Sequence, residues 1–338
     1  MKLRGGLVGL GNIALNGHLP AYRAAGEATG LEIVAACDIA PSAGEICERE
    51  LPGARLYRSP GEMIAAERPD FADICAPPDT HPAMVEAFAR AGIHILCEKP
   101  LADRIESARI LADAVRANPV VFVPCHQYRY SPLWATVGSV ISGGKIGQVT
   151  LAQFNVYRTR ADAGSPAGNP AWRTDRASSG GGILADTGAH YLYLVQIFFG
   201  LPLSVQADLR RLRHWGYPVE DTALVTLGYE RTAVQINLTW AADTRANSIL
   251  ITGTEGHLRY DGTRLLLSRG GTTGELPMPD VSDKSQYVSW YASLLGEFSA
   301  RIRANNYGDD LLTESMNVMK LLSLAYRSGE ERRALEFR

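Results

Sequence analysis

The sequence predicts an α/β protein with two domains: an N-terminal, doubly wound parallel sheet of the Rossmann type, and a C-terminal α+β domain with an open, largely antiparallel sheet. Two observations predict this division. Short apolar runs alternate with helical patterns up to about residue 125, whereas several strand-like runs lie in sequence from Val149 onward. The length of 338 residues also suggests about two domains of roughly 150 residues each.

The N-terminal part contains five predicted strands, at Leu3–Val8, Leu31–Cys37, Phe71–Ala76, Ile93–Cys97 and Val120–Val123. Helix signals lie between them. Ser59–Glu62 has a capping-box pattern with proline at the first helical position. Thr80 precedes the helical run Pro82–Arg90, and Asp103–Glu106 opens another helix. Strands alternating with helices of this length predict a parallel sheet with right-handed crossovers.

The second part contains six predicted strands, at Val149–Arg158, Val205–Arg211, Thr222–Tyr229, Thr232–Trp240, Ser248–Thr252 and His257–Tyr260. The short links Tyr229–Arg231 and Gly253–Gly256 predict tight connections between antiparallel strands. Three further helices are predicted at about Thr187–Phe199, Ser285–Arg303 and Glu314–Arg327. We therefore expect a nucleotide-binding domain over 1–125, a substrate and oligomerisation domain over 126–310, and a helix packing back over 311–338. The loop Ala161–Asn169 is the best candidate for a mobile segment.

Composition and charge exclude several classes of function. The 34 basic and 36 acidic residues leave a net charge of −2, which gives no electrostatic reason to bind nucleic acid or an anionic membrane. No apolar run approaches the roughly 20 residues that span a bilayer. The five cysteines lack CxxC spacing, so the sequence predicts neither disulfides nor a zinc or other metal site, and it favours a reducing cytoplasm.

A glycine-rich turn follows the first predicted strand, since Gly9–Ala14 reads GxGxxA. Gly9 permits the tight turn, Gly11 lets the backbone approach a pyrophosphate, and Ala14 lets the helix pack closely on the strand. The alternative is a tight turn without a ligand, but the surrounding strand–helix–strand pattern favours dinucleotide binding. The predicted cofactor-binding residues of this turn are Gly9, Gly11, Asn12 and Ile13.

An acidic residue ends the second predicted strand, near the spacing of roughly 20 residues typical of such motifs. The Asp38 carboxylate can bind the adenosine ribose hydroxyls and would repel a 2′-phosphate. Ile39 and Ala40 supply no arginine to attract that phosphate. The sequence therefore favours NAD over NADP.

Two later strand ends lie at the same carboxyl edge of the sheet. Pro77 and His81 follow one of them and are candidate cofactor contacts, although they are equally explained as loop and helix-start residues. The other strand runs into Glu98–Pro100, where the proline keeps Lys99 extended and projects it towards the nucleotide. Near a cationic nicotinamide such a lysine suits acid–base work, but spacing alone also allows an ordinary exposed lysine.

The second domain contributes Gly180–Gly182 followed by Asp186 and His190. Their spacing of four at a helix start places the two side chains on one face. A carboxylate and an imidazole there can hold sugar hydroxyls and relay a proton. The alternative is that Asp186 caps the helix and His190 is a core residue.

Together these motifs resemble the glucose–fructose oxidoreductase / inositol dehydrogenase (Gfo/Idh/MocA) family, and the resemblance covers nearly the whole chain. It rests on the nucleotide turn Gly9–Ala14, the Glu98–Pro100 signature, Trp172 and Arg173, and the Asp186 to His190 pair. It implies an NAD(P)-dependent dehydrogenase acting on a hydroxyl or carbonyl carbon of a sugar, inositol or related polyol. It also implies a homodimer or homotetramer formed through the C-terminal sheet.

The resemblance also implies residue roles. Lys99, Asp186 and His190 are the expected catalytic residues, and Glu98, Arg129, Trp172 and Arg173 are expected near cofactor or substrate. We favour His190 as proton acceptor, Lys99 as the group that polarises the substrate oxygen, and Asp186 as their orienting partner. The sequence does not separate Lys99 from His190 in the first role.

One position departs from the family. Many members have Asp three residues after the histidine, where this chain has Tyr193, which is uncharged and bulkier. Two other functions stay open. An NAD-dependent glycosidase would oxidise a sugar transiently to allow elimination, and a nucleotide-binding sensor would perform no chemistry. The presence of Lys99, Asp186 and His190 argues against the sensor.

Overall fold

The computed structural model describes residues 2–164, 169–278 and 287–338. Its first sheet has six parallel strands in the order β3-β2-β1-β4-β5-β6. These strands are β1 (Leu3–Val8), β2 (Leu31–Cys37), β3 (Arg55–Tyr57), β4 (Phe71–Ile74), β5 (His94–Cys97) and β6 (Phe122–Pro124). The order reverses between β1 and β4, so the carboxyl ends of these two strands open a crevice in which nucleotides bind in such sheets. The predicted parallel sheet is confirmed, with one additional short strand, β3.

Helices cover both faces of this sheet and begin where the sequence signals lie. They are α1 (Leu19–Thr29), α2 (Ala43–Glu50), α3 (Pro60–Glu67), α4 (His81–Arg90) and α5 (Ile105–Arg116). The Ser59 side chain accepts a hydrogen bond from the Glu62 N–H, which is the predicted cap of α3. A helical turn at Ala14–His18 leads from the glycine-rich turn into α1. The nucleotide-facing end of α1 is therefore continuous with that turn.

The second sheet has nine strands in the order β14-β13-β12-β11-β7-β10-β9-β8-β15. They are β7 (Val149–Tyr157), β8 (Ser204–Arg210), β9 (Thr222–Gly228), β10 (Ala233–Thr239), β11 (Ala246–Gly253), β12 (Gly256–Tyr260), β13 (Leu265–Arg269), β14 (Thr272–Leu276) and β15 (Leu335–Glu336). Every neighbouring pair is antiparallel except β7 and β10. The largely antiparallel sheet is thus confirmed, although β13, β14 and β15 were not predicted.

The remaining helices join the two sheets. They are α6 (Pro132–Ser142), α7 (Arg176–Ser179), α8 (Ala189–Phe199), α9 (Tyr287–Arg303) and α10 (Asp310–Glu331). Helix α9 follows the second sheet in the chain but packs on α1, and its Phe298 meets Phe71 edge-on at 5.7 Å. Helix α10 contacts α5 on one side and β8 and α8 on the other. Helix α10 therefore joins a helix of the first domain to the second sheet.

Two expectations reach beyond the described part of the chain. Residues 165–168 of the predicted mobile loop and the predicted helix start at Ser285 lie outside it. Within the described ranges, no helix combines the length and the apolar character needed to cross a bilayer.

Candidate active site

A cavity of about 470 Å³ lies where strands of both sheets end. Its walls come from the segments that follow β1, β4, β5 and β6 in the first sheet and β7 and β10 in the second. The predicted site residues that line it are Asn12, Ile13, Glu98, Lys99, Trp172, Arg173, Asp186 and His190. The fold therefore brings the two predicted motifs, which are 87 residues apart at Lys99 and Asp186, to one place.

The glycine-rich turn leaves room for a ligand. Gly9 has φ +91°, and a Cβ there would lie 3.0 Å from the backbone of Cys75 and Ala76, so only glycine fits between the ends of β1 and β4. A Cβ at Gly11 would meet nothing within 4 Å. The backbone at Gly11 is thus open to close approach, as a pyrophosphate requires.

The Asp38 carboxylate lies beside this turn and accepts hydrogen bonds from the Leu10 N–H at 2.6 Å and the Ala40 N–H at 2.7 Å. The fold also brings an arginine that sequence proximity did not reveal. The Arg58 Nη1 donates to the carbonyl oxygens of Asp38 at 3.0 Å and Ala40 at 2.7 Å. The expectation that no arginine lies near this position was therefore incomplete, because Arg58 arrives from the end of β3, a strand the apolar pattern did not reveal.

Lys99 is half-buried on the cavity wall at the end of β5. Its Nζ donates to the backbone carbonyl oxygen of Asp186 at 2.9 Å, which ties the end of the first sheet to the start of the second domain's helix. A fixed acceptor of this kind holds the ammonium in one place without neutralising its charge. Lys99 is therefore available to a substrate oxygen.

His81 and Pro77 do not line the cavity. His81 is fully buried, and its ring nitrogens lie 3.1 Å from the Pro100 carbonyl oxygen and 2.8 Å from that of Ala76. The expected cofactor contact of His81 is thus replaced by a structural one, because both ring nitrogens already join the segments that follow β4 and β5. Pro77 is not a lining residue, although its neighbours Ala76 and Pro78 are.

The helix that carries Asp186 and His190 is held at its start by a buried carboxylate, Glu220. This carboxylate accepts hydrogen bonds from the N–H groups of Gly182 at 2.9 Å and Leu184 at 3.1 Å. A Cβ at Gly182 would lie 1.9 Å from the Glu220 carbonyl oxygen, so the glycine allows this approach. Glu220 has no local motif, and the sequence did not predict its role.

The Asp186 carboxylate does not orient Lys99 or His190, contrary to expectation. It pairs instead with the Arg173 Nε at 3.3 Å, and the Arg173 guanidinium stacks on the Trp172 ring at 4.4 Å. The reason is geometric, because the backbone carbonyl of Asp186 points to Lys99 and its side chain points towards Arg173. Asp186 therefore fixes the Trp172–Arg173 segment over the cavity.

The His190 imidazole is 7% exposed and stacks on the Tyr128 ring with centroids 4.2 Å apart. Neither ring nitrogen has a hydrogen-bond partner among the described residues, and Nδ1 is buried. Burial, and then the nearby positive charge of Lys99, hold the pKa of His190 well below its usual value. The imidazole is therefore neutral near pH 7 and can accept a proton.

Arg129 and Tyr193 lie outside the cavity, which corrects the expected position of Arg129. The Arg129 Nη1 donates to the Tyr193 hydroxyl and to the Glu314 carboxylate, both at 3.0 Å. The Tyr193 hydroxyl also donates to Glu314 at 2.7 Å, and its ring stacks on His126 at 3.8 Å. Tyr193 thus anchors α10 to α8, and the family's Asp position has a structural use in this chain.

Glu98, which precedes Lys99 in the chain, belongs to a buried hydrogen-bonded network centred on His18. Its Nδ1 lies 2.8 Å from the Asp73 carboxylate, and its Nε2 lies 3.0 Å from the Glu98 carboxylate. The Tyr291 hydroxyl also donates to Glu98 at 2.9 Å. Burial lowers the pKa of His18, but its interactions with Asp73 and Cys75 together raise that pKa well above the usual value. His18 is therefore the cation that balances two buried carboxylates.

We expect His18→Leu to lower the free energy of unfolding by about 3–5 kcal/mol, because it leaves two buried carboxylates without a cation. Since the folded pKa of His18 lies above the unfolded value of about 6.5, its stabilisation is complete below that pH and is lost as pH rises through the folded pKa. Urea unfolding across pH checks both points. Equal stability of His18→Leu and wild type at pH 6 would contradict them.

Comparison with known proteins identifies the family of the chain. A model described as the oxidoreductase family with an NAD-binding Rossmann fold matches residues 3–126, and a model of the GFO/IDH/MocA C-terminal domain matches residues 134–259. The chain is therefore an NAD-binding oxidoreductase. It belongs to the GFO/IDH/MocA family, as the resemblance of its motifs predicted.

Individual relatives cover the full length of the chain. D-apiose dehydrogenase from Paraburkholderia graminis is 27% identical over 100% of this chain and 90% of that protein. Inositol 2-dehydrogenase from Rhizobium meliloti is 25% identical over 99% of both. The structure of levoglucosan dehydrogenase in complex with NADH and levoglucosan superposes with a TM-score of 0.85 at 20% identity, over 99% of each chain. At 20% identity, this similarity shows a shared fold and no more.

Proposed function

We propose that this chain interconverts a hydroxyl and a carbonyl carbon of a sugar, inositol or related polyol, using NAD, in the cavity between the two sheets. The observation that carries the proposal is that Lys99 and the neutral His190 line the same cavity as the open glycine turn. A cation and a neutral imidazole placed beside the oxygen of the substrate hydroxyl can together assist the removal or return of the hydroxyl proton.

The residues around the glycine turn fit a dinucleotide. The open backbone at Gly11 and the helical start that follows it suit a pyrophosphate, and Asp38 lies at the end of β2 where an adenosine ribose would be held. The negative charge of Asp38 favours NAD over NADP. When bound, NAD supplies the carbon that accepts or donates the hydride. Arg173 and Trp172 line the same cavity and would contact the cofactor or the substrate there.

The chain's own residues handle the proton. In the oxidative direction, the ammonium of Lys99 donates a hydrogen bond to the substrate hydroxyl oxygen and stabilises its developing negative charge. The neutral imidazole of His190 accepts the proton of that hydroxyl. The Asp186 carboxylate contacts neither Lys99 nor His190, because it is paired with Arg173.

Gly11→Val is expected to abolish NAD binding while leaving the protein as stable as wild type. The new side chain meets no protein atom within 4 Å at its Cβ, yet it occupies the space that a pyrophosphate needs. NADH binding, measured by quenching of tryptophan fluorescence, and thermal unfolding check the two halves separately. The matched control is Gly61→Val, which is equally open but lies in α3. Unchanged NADH affinity in Gly11→Val would place the cofactor elsewhere.

The direct test of function is a panel of sugars, inositols and polyols incubated with NAD and, separately, NADP, followed by the absorbance of reduced cofactor. The proposal expects net reduction of NAD with at least one of them and weaker use of NADP. A glycosidase would instead release an aglycone from glycosides with no net NADH. No reduction with any compound, together with intact NADH binding, would overturn the proposal.

A further inference from the structure

Three arginines line the cavity at the edge of the second sheet, and they were not among the predicted site residues. Arg158 and Arg160 follow β7, and Arg245 precedes β11. Tyr157 pairs with Ala246 in the antiparallel β7–β11 ladder, so the chain positions on either side of this pair lie close together. Two distant segments of the sequence therefore place three guanidinium groups on one wall of the cavity.

Arg158 is unusual because it is only 8% exposed and has no acidic partner among the described residues. Its Nη1 donates to three uncharged oxygens, the Tyr157 carbonyl at 2.7 Å, the Ala246 carbonyl at 3.2 Å and the Asn247 Oδ1 at 2.9 Å. Within the described ranges, its Nε and Nη2 have no partner. Buried arginines are normally paired with an anion, because desolvating an unpaired charge is costly.

Three acidic residues line the cavity, Glu98, Asp162 and Asp186, and within the described ranges none of them forms an ion pair with Arg158. The Glu98 carboxylate is bonded to His18 and Tyr291, and the Asp186 carboxylate is paired with Arg173. Arg160 and Arg245 are exposed at the cavity mouth and have no hydrogen-bond or ion-pair partner in the part of the chain that the structure describes. The described cavity lining therefore holds more cationic side chains (Lys99, Arg158, Arg160, Arg173 and Arg245) than carboxylates (Glu98, Asp162 and Asp186).

We propose that Arg158, Arg160 and Arg245 form a subsite for an anionic group of the substrate, so that the enzyme acts on a sugar or polyol bearing a carboxylate or a phosphate. This inference rests on the proposed function, and it narrows the substrate class. Guanidinium groups bind both kinds of anion through paired N–H donors, and they do so more strongly inside a cavity than in water. A neutral sugar would leave Arg158 without a counter-ion.

The first test measures binding by calorimetry in the presence of NADH, using pairs in which the acid carries a carboxylate where its neutral partner carries a hydroxymethyl group. Such pairs are D-gluconate with D-glucitol, D-glucuronate with D-glucose, and D-galacturonate with D-galactose, and D-glucose 6-phosphate tests the phosphate. The proposal expects at least one anion to bind about 10-fold or more tightly than its neutral partner. Which anion does so distinguishes carboxylate from phosphate. A panel in which no anion binds more tightly than its neutral partner, whether both bind or neither does, overturns the subsite.

The second test uses Arg160→Gln and Arg245→Gln, since replacing Arg158 would also remove its three hydrogen bonds to the sheet. Each variant should weaken binding of the preferred anion by about 10-fold and leave its neutral partner unchanged. Arg259→Gln is the matched control, an exposed arginine of β12 outside the cavity, and should change neither. Equal loss for anion and neutral partner, or no loss for either, overturns the assignment.

Turnover measurements separate this inference from the proposed function. If neutral polyols are oxidised as efficiently as the acids, the function stands and the anion subsite is refuted. If acids bind in the predicted manner but no NAD is reduced with any of them, and no reduced product forms from their keto forms with NADH, the subsite stands and the proposed function fails.

Discussion

Lys99→Met is expected to lower kcat by about 10²–10⁴-fold while NADH binds as in wild type. The Lys99 ammonium lies on the cavity wall, held 2.9 Å from the Asp186 carbonyl oxygen, and is the cation we place at the substrate oxygen. Methionine keeps most of the side chain's length and packing but removes the charge and the donors. Steady-state kinetics together with NADH fluorescence titration check the two halves of this expectation.

Lys145→Met is the matched control, since Lys145 is exposed in the turn before β7 and does not line the cavity. It should retain wild-type turnover and NADH affinity. If Lys99→Met lowers NADH affinity and turnover to the same extent, Lys99 positions the cofactor and does not act on the substrate. Wild-type kcat in Lys99→Met would remove it from the mechanism altogether.

His190→Asn is expected to produce a loss of similar size, about 10²–10⁴-fold in kcat, because it removes the proposed proton acceptor. Asparagine keeps a polar side chain but has no basic nitrogen. Burial holds the pKa of His190 well below its usual value, so its acceptor form is present throughout the range above about pH 6.5. Wild-type kcat/KM should therefore show no decline attributable to His190 between about pH 6.5 and 8.

The pH profile of His190→Asn discriminates this role from a structural one. Since the neutral imidazole is lost as pH falls through the His190 pKa, the wild-type profile should decline on the acidic side and that decline should disappear in the variant. His257→Asn, an exposed histidine of β12, is the matched control and should leave the profile unchanged. Persistence of the same acidic decline in His190→Asn would assign it to another group.

Local patterns were sufficient to predict the elements that position the site. β1 and β2 match their predicted limits, because each is a short run with a single charged residue that ends at turn residues. The conformation of Gly9 and the open backbone at Gly11 also follow from short-range chemistry, since only glycine suits the turn between a strand and a helix there. In contrast, β3 escaped prediction because it is three residues long and half-exposed, so it leaves no apolar run.

The contacts between distant segments could not be predicted in this way. Whether His81 faced a ligand or a backbone carbonyl depended on how the segments after β4 and β5 meet. Likewise, Arg129 pairs with Glu314 from α10, a helix whose docking the periodicity implied without specifying its partner. The arginines at Arg158 and Arg245 form one wall only because β7 pairs with β11. Pairing register over such separations leaves no trace in local sequence.

The most direct test of the account is a crystal structure of the full chain with NADH. It should place the nicotinamide ring in the cavity between the glycine turn and α8. About 3–3.5 Å from the ring there should be room for a substrate carbon whose oxygen is within reach of both Lys99 and His190. A nicotinamide bound away from these two side chains, or with the ring separating them from the open part of the cavity, would contradict it.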